Sequence, residues 1–459
     1  MRPSIALLAL VSCCALAACG GGGGGASNNN TIPGGASPTS SPTTDPSPLP
    51  TPAPSSPPGI GVLQHIVIIV QENRSFDNIF GGPNGFPGAQ TAASGKMSTG
   101  QTQPLQQITF EDRHDILHTH TNFEAQYANG NMYFDLGKPD DPTFPYSYLD
   151  RAETAPYWSM ASQYVLADHF FESNNGPSYE AHQYLIAGQS QNAVENPVLT
   201  HSQNPLYDGW GCDDPPGTYI PILVNGQEQN GPFPCFDYPT VADELDAKGI
   251  SWKYYAPQIG QQEFGAIWSA FDAIKHIRYG NDWNNVIYPE QRVITDAQQT
   301  LPAVTWVMPS IGDSDHPGTG SNTGPSWVSS VVNAVGNGPN WNSTAIILFW
   351  DDWGGFYDDV VPQQVDPMGL GFRTPMIVIS PYAKHGYVAH TQYEIASVLR
   401  FVEERFGLAT LSAADARAAS LDDAFDFSQS PRPFTTIQSR YTRSYFMHER
   451  PSNRPPDDD

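Results

Sequence analysis

The sequence predicts an α/β protein: a three-layer sandwich with a mostly parallel central sheet and long loop insertions. Three observations point that way. Short apolar runs rich in β-branched residues, "HIVIIV" from His65, "AIILFW" from Ala345 and "PMIVIS" from Pro375, are bounded by turn residues, as expected of strands buried on both faces. Stretches with helical character lie between such runs, at Pro239 to Lys248, Trp327 to Val335 and Tyr393 to Phe406. Two of the apolar runs end abruptly in polar clusters, and an open parallel sheet gathers its active groups where strands end.

Residues 1–18 hold one early arginine, an apolar core and then small residues, which reads as a secretory signal too short for a comfortable membrane span. The ending Leu16-Ala17-Ala18-Cys19 resembles the bacterial lipobox, where cleavage precedes a cysteine that is then acylated; an ordinary cleaved signal is the plainer alternative. Residues 19–60 run through glycines into a Pro/Ser/Thr tract that cannot bury a core and fits a flexible, partly polyproline tether. The expectation is an exported protein of the bacterial cell envelope, in the periplasm or anchored to the outer membrane through a lipidated Cys19. The catalytic domain is expected over 61–438, with no internal repeat and with surface insertions near 83–110 and 190–235. The tail, 439–459, mixes charge and proline and reads as a docked strap or a disordered end.

Of the five cysteines, Cys13 and Cys14 leave with the signal and Cys19 takes lipid, so Cys212 and Cys235 remain. In an oxidising compartment a disulfide is the simplest reading of that pair, and two reduced buried thiols the other. A formal net charge of −26 argues against a nucleic-acid partner, because phosphate backbones are held mainly by Lys and Arg.

The first strand breaks into Glu72, Asn73, Arg74, Ser75 and Asp77, and the run ending at Trp350 into Asp351, Asp352 and a Gly-Gly turn. Adjacent carboxylates repel unless a proton or cation neutralises them. Set side by side, Glu72, Asn73, Asp351 and Asp352 make an all-oxygen cluster suited to one or more hard divalent ions whose identity the residues leave open; two solvated acidic turns are the plainer account. Asn175-Gly176-Pro177-Ser178 has the grammar of a helix start, where Ser178 either caps the helix or attacks a phosphoryl group beside its N-terminus. His118, in a stretch too crowded with imidazoles and acids for an ordinary amphipathic helix, and His316, in a turn-rich loop, are candidates to protonate a leaving alkoxide or hold a phosphate. His114, His120, His182 and His276 are second choices. Arg74 is read chiefly as a partner for nearby carboxylates, with a phosphate contact as the lesser alternative.

In order, "HIVIIVQENRSFDNIFG", "DILH", "NGPSYEAH", "SDHPG", "WDDWGGFYDDVVP" and "SPYAKHGYVAHTQYEIASVLRFVEERFGL" resemble the bacterial phosphoesterase family of non-specific phospholipases C and acid phosphatases, over about Gln64 to Phe434. The resemblance implies an alkaline-phosphatase-like fold and a metal-assisted mechanism through a phosphorylated hydroxyl. Carried over position by position, it makes Glu72, Asn73, Asp351 and Asp352 metal ligands and Ser178 the nucleophile that also touches the ion. His118 then protonates the leaving group and His316 contacts phosphate. Ser178 and Asp352 stand where phospholipase-type members often have Thr and Glu, which leans toward the phosphatase-like branch. Two family histidines are missing, at Tyr393-Glu394-Ile395 and in Phe356-Tyr357-Asp358-Asp359-Val360, so the first role is absent or moved to His390. The expected function is an exported phosphoric ester hydrolase, acid phosphatase or phospholipase C, acting on a small phosphomonoester or a phospholipid headgroup. A catalytically inactive surface lipoprotein using the fold as a binding module is the alternative from another class; a sulfatase-like enzyme is disfavoured by the missing CxPxR segment.

Overall fold

The computed structural model describes residues 53–198, 210–259 and 268–450. The signal segment, Cys19 and most of the tether lie outside them, as does the tail beyond residue 450. One nine-stranded sheet organises the chain. Its strands are β1 (His65–Gln71), β2 (Val165–Phe171), β3 (Trp252–Tyr255), β4 (Val286–Ile287), β5 (Val304–Val307), β6 (Thr344–Trp350), β7 (Arg373–Ile379), β8 (Tyr387–Ala389) and β9 (Tyr393–Glu394). The order across the sheet is β4-β3-β5-β1-β6-β7-β2-β8, with β9 also paired to β2.

Every residue of β1, β6 and β7 is buried, so both faces of the central strands are covered. This matches their unbroken apolar runs. The main helices are α1 (Phe76–Phe80), α2 (His120–Tyr127), α3 (Ala155–Gln163), α4 (Ser178–Ala187), α5 (Val241–Ala247), α6 (Gly324–Gly336) and α7 (Ile395–Phe406). Helices α4, α5 and α7 pack as one group and α3 with α6 as another. With the sheet between the two groups the molecule is a three-layer α/β sandwich.

All neighbouring strands pair in parallel except β7, which is antiparallel to both β6 and β2. The segment joining β6 to β7 holds no crossover helix, and without one a strand cannot return parallel to its neighbour. The C-terminal ends of β1, β2, β5 and β6 therefore share one rim. There the register sets Gln71 beside Trp350, so the two polar strand ends emerge next to each other.

The third helical stretch yields a two-residue strand, Tyr393–Glu394, before α7 begins at Ile395. The histidine-rich stretch does contain a helix, α2, capped by the Thr119 side chain. It is polar on its buried side because Gln126 accepts from Trp353 Nε1 (2.7 Å) and donates to the Gly355 carbonyl (3.1 Å). Insertions 83–110 and 190–235 carry small ladders such as Pro221–Val224 with Gln227–Asn230. Cys212 and Cys235 form a disulfide. The described part of the tail is a strap: Tyr441 N donates to Ser326 Oγ (3.1 Å), and Phe446 is buried edge-on to Trp327. Among the described residues no helix is long and apolar enough to cross a membrane.

Candidate active site

The rim is clasped by backbone first. Glu72 N donates to the Ser314 carbonyl (2.8 Å), Asp351 N to the Gln71 carbonyl (3.0 Å) and Asn73 N to Asp351 Oδ1 (3.0 Å). Asn73 takes a left-handed conformation (φ 59°), which asparagine tolerates better than most residues. Ser75 then caps α1 by accepting from Asn78 N (3.2 Å). Opposite, the Gly354-Gly355 turn has φ of 59° and 75°. A Cβ on Gly354 would collide with the Asn73 carbonyl and one on Gly355 with Ile116, so glycine lets the two loops meet.

Ser178 is the first residue of α4, with Pro177 at the cap position. It does not cap the helix: its Oγ donates to Asp352 Oδ2 at 2.9 Å. Asp352 Oδ1 accepts from Gly354 N (2.8 Å), which fixes the carboxylate. His118 Nδ1 donates to the Ile116 carbonyl (2.9 Å), so in the neutral ring Nε2 is the acceptor and takes a hydrogen bond from Asn73 Nδ2 (2.6 Å). The same Nε2 lies 3.8 Å from Asp352 Oδ2. His316 Nδ1 donates to the Pro317 carbonyl (2.8 Å), and the His118 and His316 rings are 6.1 Å apart, centroid to centroid.

Close to Ser178 lies a cluster of buried polar atoms that the protein leaves unsatisfied. Both Glu72 carboxylate oxygens, Asn73 Oδ1, Asp351 Oδ2 and both ring nitrogens of His182 are buried without a hydrogen-bond partner. His182 Nε2 stands 3.3 Å from Glu72 Oε1 and 3.6 Å from Asp351 Oδ2. Orphaned polar atoms at this density cost more than a native core ordinarily accepts, and a divalent cation would engage the carboxylate oxygens and one His182 nitrogen together. The donor set therefore fits such an ion, with one imidazole among the oxygens.

Burial and the neighbouring Asp351 push Glu72 well above its ordinary range. The same two causes raise Asp352 to about 7. Asp351 goes the other way: burial alone would raise it, but the close approach of His182 and Glu72 draws it down to about 2. Without a cation the cluster holds protons in its place.

The structure brings Glu72, Asn73, Ser178, Asp351, Asp352, His118 and His316 to one rim. It adds His182, a second choice by sequence, and Glu172, which sequence reasoning passed over. His182 follows Ser178 by four residues, one helical turn, and that spacing was a readable signal. Glu172 ends β2 just as Glu72 ends β1; its oxygens are buried and unpartnered, and burial followed by the charges of Asp352 and Asp351 pushes it well up. Other histidines lie elsewhere: His114 pairs with Asp112, His276 with Asp237 and Asp243, and His120 donates to the Asn175 carbonyl. His390 is not among these rim residues but pairs with Asp168. Arg74 is buried between Phe110 and Phe356 and donates to the Asp315 carbonyl (2.8 Å), a framework role. A further acidic group, Asp77, Asp358 and Asp359, is already served by the Arg373 guanidinium.

A serine at a helix N-terminus, set against a carboxylate-imidazole cluster on the rim of a mostly parallel sheet, defines an α/β protein whose rim could hold a buried cation. The chain belongs to the Phosphoesterase family, whose model matches residues 63–409. It is similar to a non-hemolytic phospholipase C of Pseudomonas aeruginosa, 28% identical over 426 residues, covering 80% of this chain and 57% of the relative. It is also similar to phospholipase C B of Mycobacterium tuberculosis, 24% identical over 436 residues, covering 81% and 79%. The chain thus spans little more than half the length of the Pseudomonas relative. A solved structure described as a protein in the alkaline phosphatase superfamily, from Vibrio parahaemolyticus, aligns with a TM-score of 0.37 at 10% identity, over 83% of this chain and 76% of that one. That likeness adds nothing to the fold read from the strand order.

Proposed function

We propose that the protein is a metal-dependent phosphoric ester hydrolase that works through a phosphoserine on Ser178. The observation that carries the reading is the Ser178 Oγ donating to Asp352 at the mouth of an unsatisfied polar pocket. A divalent cation held by Glu72, Asn73, Ser178, Asp351 and Asp352, with His182 as an added ligand, supplies Lewis-acid neutralisation of phosphoryl charge. Its identity is left open by a mixed oxygen and imidazole donor set.

Ser178 Oγ attacks phosphorus in line while its proton passes to Asp352 Oδ2, already its acceptor. Ser178 opens α4, so the positive end of the helix dipole lies beside the developing negative charge. The departing alcohol takes a proton from His118 Nε2, which has one to give only as the imidazolium; in that form Asn73 no longer donates to it. Water then attacks the phosphoserine and gives a proton to the now neutral His118 Nε2, the phosphoryl group leaves as phosphate or a phosphate monoester, and Ser178 regains its proton from Asp352. His316, beside His118, is placed to contact a phosphate oxygen.

The substrate we infer is a phosphate ester with an alcohol leaving group, either a phospholipid headgroup ester, as the names of the relatives suggest, or a small phosphomonoester. We further propose export by the 1–18 segment and attachment through Cys19, which rest on the sequence alone. The test compares para-nitrophenyl phosphate with para-nitrophenyl phosphorylcholine from pH 4 to 8, using wild type and Ser178→Ala with and without chelator. Turnover that needs both Ser178 and the metal supports the hydrolase, and the preferred ester names its branch. Undiminished turnover by Ser178→Ala removes the phosphoserine mechanism.

A further inference from the structure

A second group of metal-competent side chains lies away from the rim. Strand β7 carries Pro375, which has no N–H for the ladder, and the pairing with β2 slips there: Thr374 faces Phe170 but Met376 faces Ala167. Two residues of β2, Asp168 and His169, therefore oppose one residue of β7. This is a bulge, and a bulge re-aims side chains that would otherwise alternate between faces. From the other side, β8 runs parallel to β2 with Ala389 opposite Ala167, which sets His390 beside Asp168.

The three side chains converge. His169 Nδ1 is 2.9 Å from Asp168 Oδ1, and His390 Nδ1 is 2.9 Å from Oδ1 and 3.0 Å from Oδ2. Asp168 is fully buried, and its Oδ2 also accepts from Gln90 N (2.8 Å). The His390 side chain is 62% exposed and that of His169 25%, so the group opens to solvent on the imidazole side. Asp168 and Glu172 are four residues apart on one chain, roughly 13 Å along an extended strand, which separates this group from the rim.

We propose that Asp168, His169 and His390 form a cation site for a zinc-class divalent transition ion, independent of the candidate active site. Two imidazoles and one carboxylate are the ligand chemistry such ions prefer, and hard magnesium or calcium does not. The ligand atoms all lie within 4.8 Å of one another. The nitrogen–oxygen separations of 2.9–3.0 Å need open only to about 3.3 Å, the edge of a tetrahedron with bonds near 2.0–2.1 Å. The ion displaces the two Nδ1 protons and leaves a coordination position to water. Gln90 N is the outer-shell donor that keeps the carboxylate oriented. Because β8 is a three-residue strand on the sheet edge, an ion joining His390 to β2 pins that edge.

The test uses the full-length protein, stripped with chelator and titrated with zinc alone by calorimetry, with thermal shift as the second readout. Wild type, His390→Ala, the double variant His169→Ala with His390→Ala, and Asp351→Asn are compared. Both imidazole variants are expected to lose one zinc equivalent, or to bind it at least about tenfold more weakly, while hydrolysis of para-nitrophenyl phosphate in the preferred metal stays as in wild type. Asp351→Asn is expected to keep that equivalent and its thermal shift. Equal stoichiometry and affinity in wild type and both imidazole variants overturns the proposal. Loss of the equivalent in Asp351→Asn overturns it too, since the ion then belongs to the rim.

Discussion

The contact between Ser178 and Asp352 puts the proposed nucleophile 2.9 Å from its hydrogen-bond acceptor before any substrate arrives. Replacing Asp352 by Asn keeps the shape and removes the acceptor, so kcat for the best ester should fall about 10²- to 10⁴-fold with circular dichroism unchanged. His182 gives a prediction of a different kind. It touches no reacting atom, and His182→Ala should weaken divalent-ion affinity by about 10- to 100-fold, read by calorimetry, with much of the rate restored at saturating metal. Both sites show what was legible at this scale. Glu72, Asn73, Asp351 and Asp352 could be picked out because acids at the end of a buried strand break the apolar pattern. His182 and Glu172 announce themselves less clearly: one needs the helix phase counted from Ser178, the other needs β2 recognised as a strand ending on the same rim.

At the scale of elements, the Gly-Gly turn after β6 is the hinge of the arrangement. Gly354→Ala adds a side chain to a left-handed residue and drives it into the Asn73 carbonyl. A loss of about 1–3 kcal/mol is expected in denaturant unfolding, with activity falling further than stability because Asn73 shifts. The apolar runs revealed the strands at the sheet centre. They could not reveal the direction of β7 or the slipped register at Pro375, since both depend on connections and partners that local periodicity does not encode. Helix α2 was hidden for a related reason. Its buried Gln126 and Asn122 read as surface until the groups they bond are known.

For the whole molecule the charge cluster sets a pH dependence. Glu72 and Asp352 lie above their ordinary values, so over the window from about pH 4 to 7 the folded state binds more protons than the unfolded chain. Their contribution to stability is full below the unfolded pKa and is lost as pH rises through about 7. Asp351, held at about 2, runs opposite but only in stronger acid. Chelated protein should therefore lose several degrees in Tm between pH 4.5 and 7.5. Saturating metal, which competes with those protons, should flatten or reverse the slope. Scanning calorimetry across that range checks the sign. The disulfide makes a separate contribution: Cys212 and Cys235 are 23 residues apart, and Cys212→Ser with Cys235→Ser should cost about 3 kcal/mol.

The reversed strand β7 has one more result. Because it begins at the rim where β6 ends, the chain joining the two strands leaves and re-enters on the same side of the sheet, and only its middle, residues 360–367, is largely exposed. Residues can be gained or lost along that excursion without sliding any strand against its neighbour. The fold thereby separates a fixed rim from a loop that can vary, and it offers evolution one stretch of chain to lengthen or trim over an unchanged centre.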